Sequence, residues 1–377
     1  MSTATRQPAT TPAAAEDFLP LDGIDHVEFY VGNAFQAAHF YRLMFGFDIV
    51  GYSGLETGNR EKASYVLEQG KIRFVLTAAL GPDHEVSRHC QLHGDGVKAV
   101  AFRVKDVDKS FAEVKKRGAT IVQAPTTLED GSGSVRMAAI RTYGETIHRF
   151  VSRESFKGMF LPGFTEMRVP APRGAGLAAV DHIVGNVELG AMNYWAGFYA
   201  KVLGFEQLTH FSDDDISTDY TALMSKVMQN GSGKIKFPLN EPAEGKKKSQ
   251  IEEYLDFYRT PGVQHIAMNT GDICKTVRTL RENGVRFLRV PDTYYAALAD
   301  RIGKIDEDYK TLQELGILVD RDEDGYLLQI FTQPVEDRPT VFYEIIERHG
   351  SRGFGIGNFK ALFVSIEEEQ RKRGTLD

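Results

Sequence analysis

Apolar and polar positions alternate with a period of two over several short runs, then switch to helical spacing between them. Ile24–Val31 reads Ile-Asp-His-Val-Glu-Phe-Tyr-Val and is followed by Gly32-Asn33, a helical stretch through Phe40-Tyr41, and Phe45-Gly46-Phe47. Val180–Val187 repeats this as Val-Asp-His-Ile-Val-Gly-Asn-Val, with Phe198-Tyr199 and Leu203-Gly204-Phe205 in step. Each stretch predicts a strand, a Gly-Asn turn, an amphipathic helix stopped by glycine, and a second strand. A second pair of segments matches as well. Gly96–Gly118 and Gly262–Gly284 each predict a strand, a turn and a helix, the helices over Val107–Arg117 and Ile273–Glu282. Self-similarity of this kind makes each half of the chain two copies of one strand–helix–strands unit. The expected fold is α+β with two tandem domains.

The boundaries follow from composition. Residues 1–20 are rich in Ser, Thr, Ala and Pro and predict a disordered tail rather than a signal peptide. The first domain is expected over 21–153, a Pro/Gly-rich linker over 154–176 and the second domain over 177–350. The last segment, 351–377, predicts a glycine hinge and a helix over Asn358–Arg373 with Phe359, Leu362, Phe363 and Ile366 on one face, placed to act as a gate. With 377 residues and a net charge of −7, the chain has room for two cores and no electrostatic footprint for nucleic acid. No apolar run is long enough to cross a membrane. Two cysteines, Cys90 and Cys274, make no disulfide framework and fit a reducing cytoplasm. A homo-oligomer is expected.

The candidate chemistry lies on three strands. Val341–Ile346 puts Phe342, Glu344 and Ile346 on one face; Ala179–Val184 does the same for Val180, His182 and Val184, and Gly262–Asn269 for Val263, His265 and Ala267. A buried Glu paired with an Arg or Lys, or a hydrogen-bonded core histidine, is the bland reading of each strand alone. Together the three match a two-histidine, one-carboxylate metal site with open positions. Residue types leave both readings open. The repeat restricts the site to one half. His26 aligns with His182, but Ala99 aligns with His265 and Phe150 falls near Glu344, so one metal site is expected, in the second domain.

Other motifs carry less. Asp320–Gly325 opens like a calcium loop, but the bidentate Glu such a loop needs is replaced by Phe331, and a hairpin turn fits better. His84, His89 and His93 have no matching carboxylate pattern and read as a solvated loop or helix. Lys246–Lys248 reads as a solvated turn, and Gly353–Gly357 lacks the strand of a dinucleotide loop.

The ordered set Val-Asp-His at 180–182, Phe-Pro-Leu-Asn-Glu-Pro at 237–242, Lys-Lys-Lys-Ser-Gln at 246–250, Val-Gln-His-Ile-Ala at 263–267, Asp-Glu-Asp-Gly-Tyr-Leu-Leu-Gln-Ile-Phe-Thr at 322–332, Phe-Tyr-Glu-Ile-Ile-Glu-Arg at 342–348 and Gly-Asn-Phe at 357–359 resembles the 4-hydroxyphenylpyruvate dioxygenase family. The resemblance implies paired βαβββ modules of the vicinal oxygen chelate fold. It implies one Fe(II) per chain on His182, His265 and Glu344, with 4-hydroxyphenylpyruvate and O₂ as substrates and homogentisate and CO₂ as products, in tyrosine and phenylalanine catabolism. It implies catalytic roles for Ser225, Asn240, Gln250, Gln329 and Phe331, and substrate contacts from Pro238, Gln264, Phe342, Phe354, Asn358, Phe359 and Leu362. Strand parity points Gln264 away from His265 unless a bulge intervenes. Tyr343, on the face opposite Glu344, is expected to matter little to the site. The rival readings are 4-hydroxymandelate synthase, an extradiol dioxygenase and a non-enzymatic binding protein.

Overall fold

The computed structural model describes residues 17–211, 220–243, 245–296 and 298–376. The expected tail lies outside the described residues as far as position 16; by Leu19 and Leu21 the chain is already buried in the core.

Two sheets carry the chain. In the first, β1 (Gly23–Tyr30), β2 (Asp48–Ser53), β3 (Lys62–Gln69), β4 (Ile72–Ala79), β5 (Gly96–Arg103), β6 (Ile121–Asp130), β7 (Gly133–Arg141), β8 (Ile147–Ser152) and β9 (Thr165–Val169) lie in the order β6-β7-β8-β5-β1-β4-β3-β2-β9. In the second, β10 (Leu177–Asn186), β11 (Glu206–Phe211), β12 (Ala222–Gln229), β13 (Lys236–Ala243), β14 (Gly262–Thr270), β15 (Leu318–Arg321), β16 (Tyr326–Phe331) and β17 (Phe342–His349) lie in the order β11-β12-β13-β10-β14-β17-β16-β15. Within each module the first strand runs parallel to the last: β1 with β4, β5 with β8, β10 with β13 and β14 with β17. The two modules of a domain join through their first strands, β1 with β5 and β10 with β14, both antiparallel. This is the paired βαβββ arrangement.

Local chemistry explains the repeat. Asn33 caps the helix Ala34–Phe40 by accepting from the Gln36 amide. That helix runs on through a π-helical turn to Gly46 at φ 79, and the matching helix Met192–Leu203 ends at Gly204 at φ 70. Both stops need the left-handed backbone that glycine enters without strain. Part of the expected linker is ordered differently from expectation: β9 pairs antiparallel with β2 and adds an edge strand to the first sheet.

One apolar core runs through both domains. Tyr343, fully buried, stands on the core face of β17 and donates from its hydroxyl to that of Tyr41, 2.7 Å away. Its neighbours Phe342 and Glu344 therefore face the other way, into a cavity that the second sheet and the terminal helix Phe359–Arg373 enclose.

Candidate metal centre and cavity

Register sets the metal-binding geometry. On β14, Ala267 pairs with His182 of β10 on one side and with Glu344 of β17 on the other. His265 lies two residues back on the same strand. Glu344 Oε2 sits 3.1 Å from His182 Nε2 and 3.4 Å from His265 Nε2, and all three side chains are buried. The three ligand atoms lie within 4.8 Å of one another. The other ring nitrogens are held from behind. Asp181 Oδ1 lies 2.8 Å from His182 Nδ1, and Gln264 Oε1 lies 3.3 Å from His265 Nδ1. Each partner accepts the Nδ1 proton and leaves the Nε2 lone pair free to bind. The donor set thus fits a divalent transition metal with positions open toward the cavity.

Two β-bulges make this possible. The pairing of β10 with β14 shifts register between Val180 and His182, leaving Asp181 as an extra residue, and again at Val184/Gly185, leaving Gln264 as an extra residue. A bulge puts consecutive side chains on one side of a strand. The parity argument therefore fails for Gln264. It lines the cavity beside His265, and its Nε2 reaches toward Gln250 Oε1 at 3.5 Å.

Electrostatics make the triad and its supports a charged cluster. Burial pushes the Glu344 carboxyl up, but the two imidazoles more than reverse this and leave it at about 2. Burial also works against a charged His182, yet Glu344 and Asp181 outweigh it and raise that ring; for His265 burial wins and lowers it. Asp181, although buried, is held well below the usual carboxylate range by Arg348 and His182. Arg348 grips it with two nitrogens at 2.7 and 2.8 Å and reaches on to the Gly353 carbonyl at 2.7 Å, so the ligand support is tied to the hinge.

The first domain repeats the scaffold without the site. Asp25, His26 and Arg153 copy Asp181, His182 and Arg348, down to a 2.7 Å contact from His26 Nδ1 to Asp25 Oδ1. Ala99 does stand where His265 stands. The residue opposite Glu344, however, is Arg149 rather than Phe150, because Ala101 pairs with Arg149 as Ala267 pairs with Glu344. Phe150 points into the core. An Arg149–Glu28 ion pair fills the place a metal would take.

The cavity holds about 70 Å³ of free space. Ser225, Pro238, Asn240, Gln250, Gln264, Gln329, Phe331, Phe342, Phe354, Phe359 and Leu362 line it together with the three ligands. Phe342 stacks on the His265 ring at 4.7 Å and 23°. Gln329 Oε1 is buried with no hydrogen-bond partner among the described residues, a group that a ligand's donor could satisfy. Asn358 departs from expectation: it does not line the cavity, and its Oδ1 accepts from the Tyr294 hydroxyl at 2.6 Å, beneath the start of the terminal helix. Sequence reasoning missed the apolar walls Phe211, Leu223 and Val227, which lack any motif, whereas Val184 and Phe363 line the cavity from the strand face and gating face expected of them. It also missed Asp181 and Arg348, although the Asp-His pair recurs in both halves of the chain and gave a usable signal.

Comparison with known proteins agrees with this geometry. The family described as the Glyoxalase/Bleomycin resistance protein/Dioxygenase superfamily matches residues 23–141 and 179–330. The chain is 46% identical over 386 residues to 4-hydroxyphenylpyruvate dioxygenase of Yarrowia lipolytica, covering 98% of each. It is 49% identical over 370 residues to that of Tetrahymena thermophila, covering 94% of this chain and 91% of the relative. A variant of 4-hydroxymandelate synthase from Streptomyces coelicolor superposes with a TM-score of 0.83 at 33% identity, over 93% of this chain and 100% of that one. Likeness of this extent to the named dioxygenases shows that the chain belongs to the 4-hydroxyphenylpyruvate dioxygenase family.

Proposed function

We propose that the chain converts 4-hydroxyphenylpyruvate and O₂ to homogentisate and CO₂, with one Fe(II) held by His182, His265 and Glu344. The observation that carries this reading is the cavity wall. Among the described residues that line it, the three ligands are the only titratable groups; the rest are neutral amides, one serine, a proline, aliphatic residues and phenylalanines. Such a wall suits a phenol bound neutral between apolar faces, and it lacks the acid–base histidine that ring cleavage would call for.

Bound iron would supply a template for the 2-oxo acid and the means to activate O₂. The protein's own part is positioning and exclusion of water. Phe331, Phe354 and Phe359 offer flat apolar faces for the ring. Ser225 and Asn240, paired across β12 and β13, offer neutral partners to polar groups of the substrate, as do Gln250 and Gln329. Asp181 and Gln264 hold the two imidazoles in the binding tautomer. The substrate's own 2-oxo acid is oxidatively decarboxylated, its carboxylate leaving as CO₂ and its keto carbon taking one oxygen atom of O₂ to become the new carboxylate; the other oxygen atom hydroxylates the ring at the carbon bearing the side chain, and the side chain migrates.

The segment 351–377 is read as the gate over the second domain. Phe359, Leu362 and Phe363 close the cavity, and the helix is pinned at its far end by Arg373 on Glu253 at 2.8 Å. A cytoplasmic setting is supported by the free thiols of Cys90 and Cys274, and no helix among the described residues is long and apolar enough to cross a membrane. A homo-oligomer is supported by exposed Phe35, Leu189 and Tyr194.

Hydroxymandelate synthase is the second reading, favoured by the structural likeness at 33% identity. Loading the chain anaerobically with Fe(II), adding O₂ and 4-hydroxyphenylpyruvate, and separating the products decides between them. Homogentisate with equimolar CO₂ is expected. Hydroxymandelate as the main product would overturn the proposal.

A further inference from the structure

We propose that the first domain carries a second divalent-cation site, formed by His89, His93 and Glu145 and suited to a zinc-class ion. No carboxylate pattern accompanies these histidines along the chain, and by sequence they read as solvated. The fold corrects both points. The helix Glu85–His93, whose N-terminus His84 caps, sets His89 and His93 one turn apart on one face, both buried. The turn before β8 brings Glu145 against them, with its side chain 41% exposed and so open to solvent.

The spacing is that of a ligand set. Glu145 Oε2 lies 3.4 Å from His89 Nδ1 and 3.3 Å from His93 Nε2. The corresponding separations around Glu344 are 3.1 and 3.4 Å. Ligands bound at about 2.0–2.1 Å stand roughly 3.0–3.4 Å from one another. The chemistry of His93 points the same way. Its Nδ1 faces the Tyr258 carbonyl, which can only accept, so a neutral ring carries its proton there and offers Nε2 as the ligand atom. Nε2 is buried, has no hydrogen-bond partner, and looks at a carboxylate oxygen. Two acceptors at that distance need a cation between them.

The surroundings are compatible with a metal ion. Lys98 is the nearby cation an ion must tolerate; its ammonium lies over the Tyr30 ring, 5.5 Å from the centroid. His93 also stacks on Tyr258, the last residue of the helix Gln250–Tyr258 in the second domain, at 4.5 Å and 25°. An ion here would clamp a contact between the two domains. Two imidazoles and a carboxylate with one open side match zinc more closely than the hard cations, which prefer all-oxygen ligands.

Equilibrium dialysis of the metal-free full chain against Zn²⁺ alone tests this. Wild type should hold two ions per chain, Glu145→Gln one and Glu344→Gln one. Glu145→Gln lies outside the proposed catalytic site, so it should keep iron-dependent turnover, which shows that it is folded. In the Glu344→Gln background Zn²⁺ should raise the melting temperature, and adding Glu145→Gln should remove that rise. One ion in wild type, or equal zinc content in wild type and Glu145→Gln, would overturn the proposal and leave a proton as the cation in the cluster.

Discussion

Replacing Asp181 by Asn tests how the metal centre is supported, and the chain carries its own control. Asp181 accepts from His182 Nδ1 at 2.8 Å and from two Arg348 nitrogens at 2.7 and 2.8 Å. Asp25 does the same for His26 at 2.7 Å and for Arg153 at 2.7 and 3.1 Å. Both carboxylates are buried, and Arg348 and Arg153 side chains are each 17% exposed. Removing one partner of a buried ion pair costs about 3–5 kcal/mol, because the other charge stays behind. At about 2–4 °C per kcal/mol for a cooperative unit of domain size, the lower bound is a drop of roughly 6–12 °C in Tm. Asp181→Asn and Asp25→Asn should share this loss. Only Asp181→Asn should also weaken Fe(II) binding, by about 10–100-fold, since it frees the tautomer of a ligand histidine. Differential scanning calorimetry gives the first quantity and anaerobic Fe(II) titration the second. Equal Fe(II) affinity in the two variants would refute the claim that Asp181 acts through His182.

Four further outcomes are expected. His182→Ala, His265→Ala and Glu344→Ala should each abolish Fe(II)-dependent turnover while His26→Ala, in the half that lacks the other ligands, should not; steady-state O₂ uptake measures this. Truncation before Gly353 should leave a folded, metal-binding chain whose O₂ use is largely uncoupled from product, checked by comparing O₂ consumed with homogentisate formed. Phe331→Ile removes a flat wall of the cavity, and a barrier change of about 1.4 kcal/mol would divert product roughly tenfold from homogentisate toward hydroxymandelate; chromatography of the products on the folded variant reads the ratio. His148 is fully buried and lowered by burial to about 4, so between that value and its ordinary 6.5 the unfolded chain takes a proton that the folded chain refuses. Stability should therefore fall as pH drops through this window, by about 3 kcal/mol from this ring, and urea midpoints of His148→Gln should lose that share of the slope.

Periodicity and turn chemistry determined the modules by themselves. The strands, the glycine stops and the helix Ile273–Glu282 are local consequences of residue order, and the fold keeps them. The candidate ligand triad was also legible from residue type on three strands, although parity holds only for Glu344: bulges put Val180 and Val263 on the core side, away from His182 and His265. The family resemblance then supplied the rest of the expected site. Tertiary structure decided whatever depended on pairing between strands. Gln264 faces His265 only because β14 bulges against β10, and a one-residue slip reverses every side chain beyond it. The same dependence moved the counterpart of Glu344 from Phe150 to Arg149, where an ion pair replaces the metal. Asn358 lies on the expected segment, yet the turn Ile356–Asn358 aims it at Tyr294 instead of the cavity. Glu145 meets His89 and His93 across a long stretch of chain, and no spacing rule links a helix to a distant turn. Local order is written in neighbouring residues, whereas register and distant encounters arise only when the sheets close.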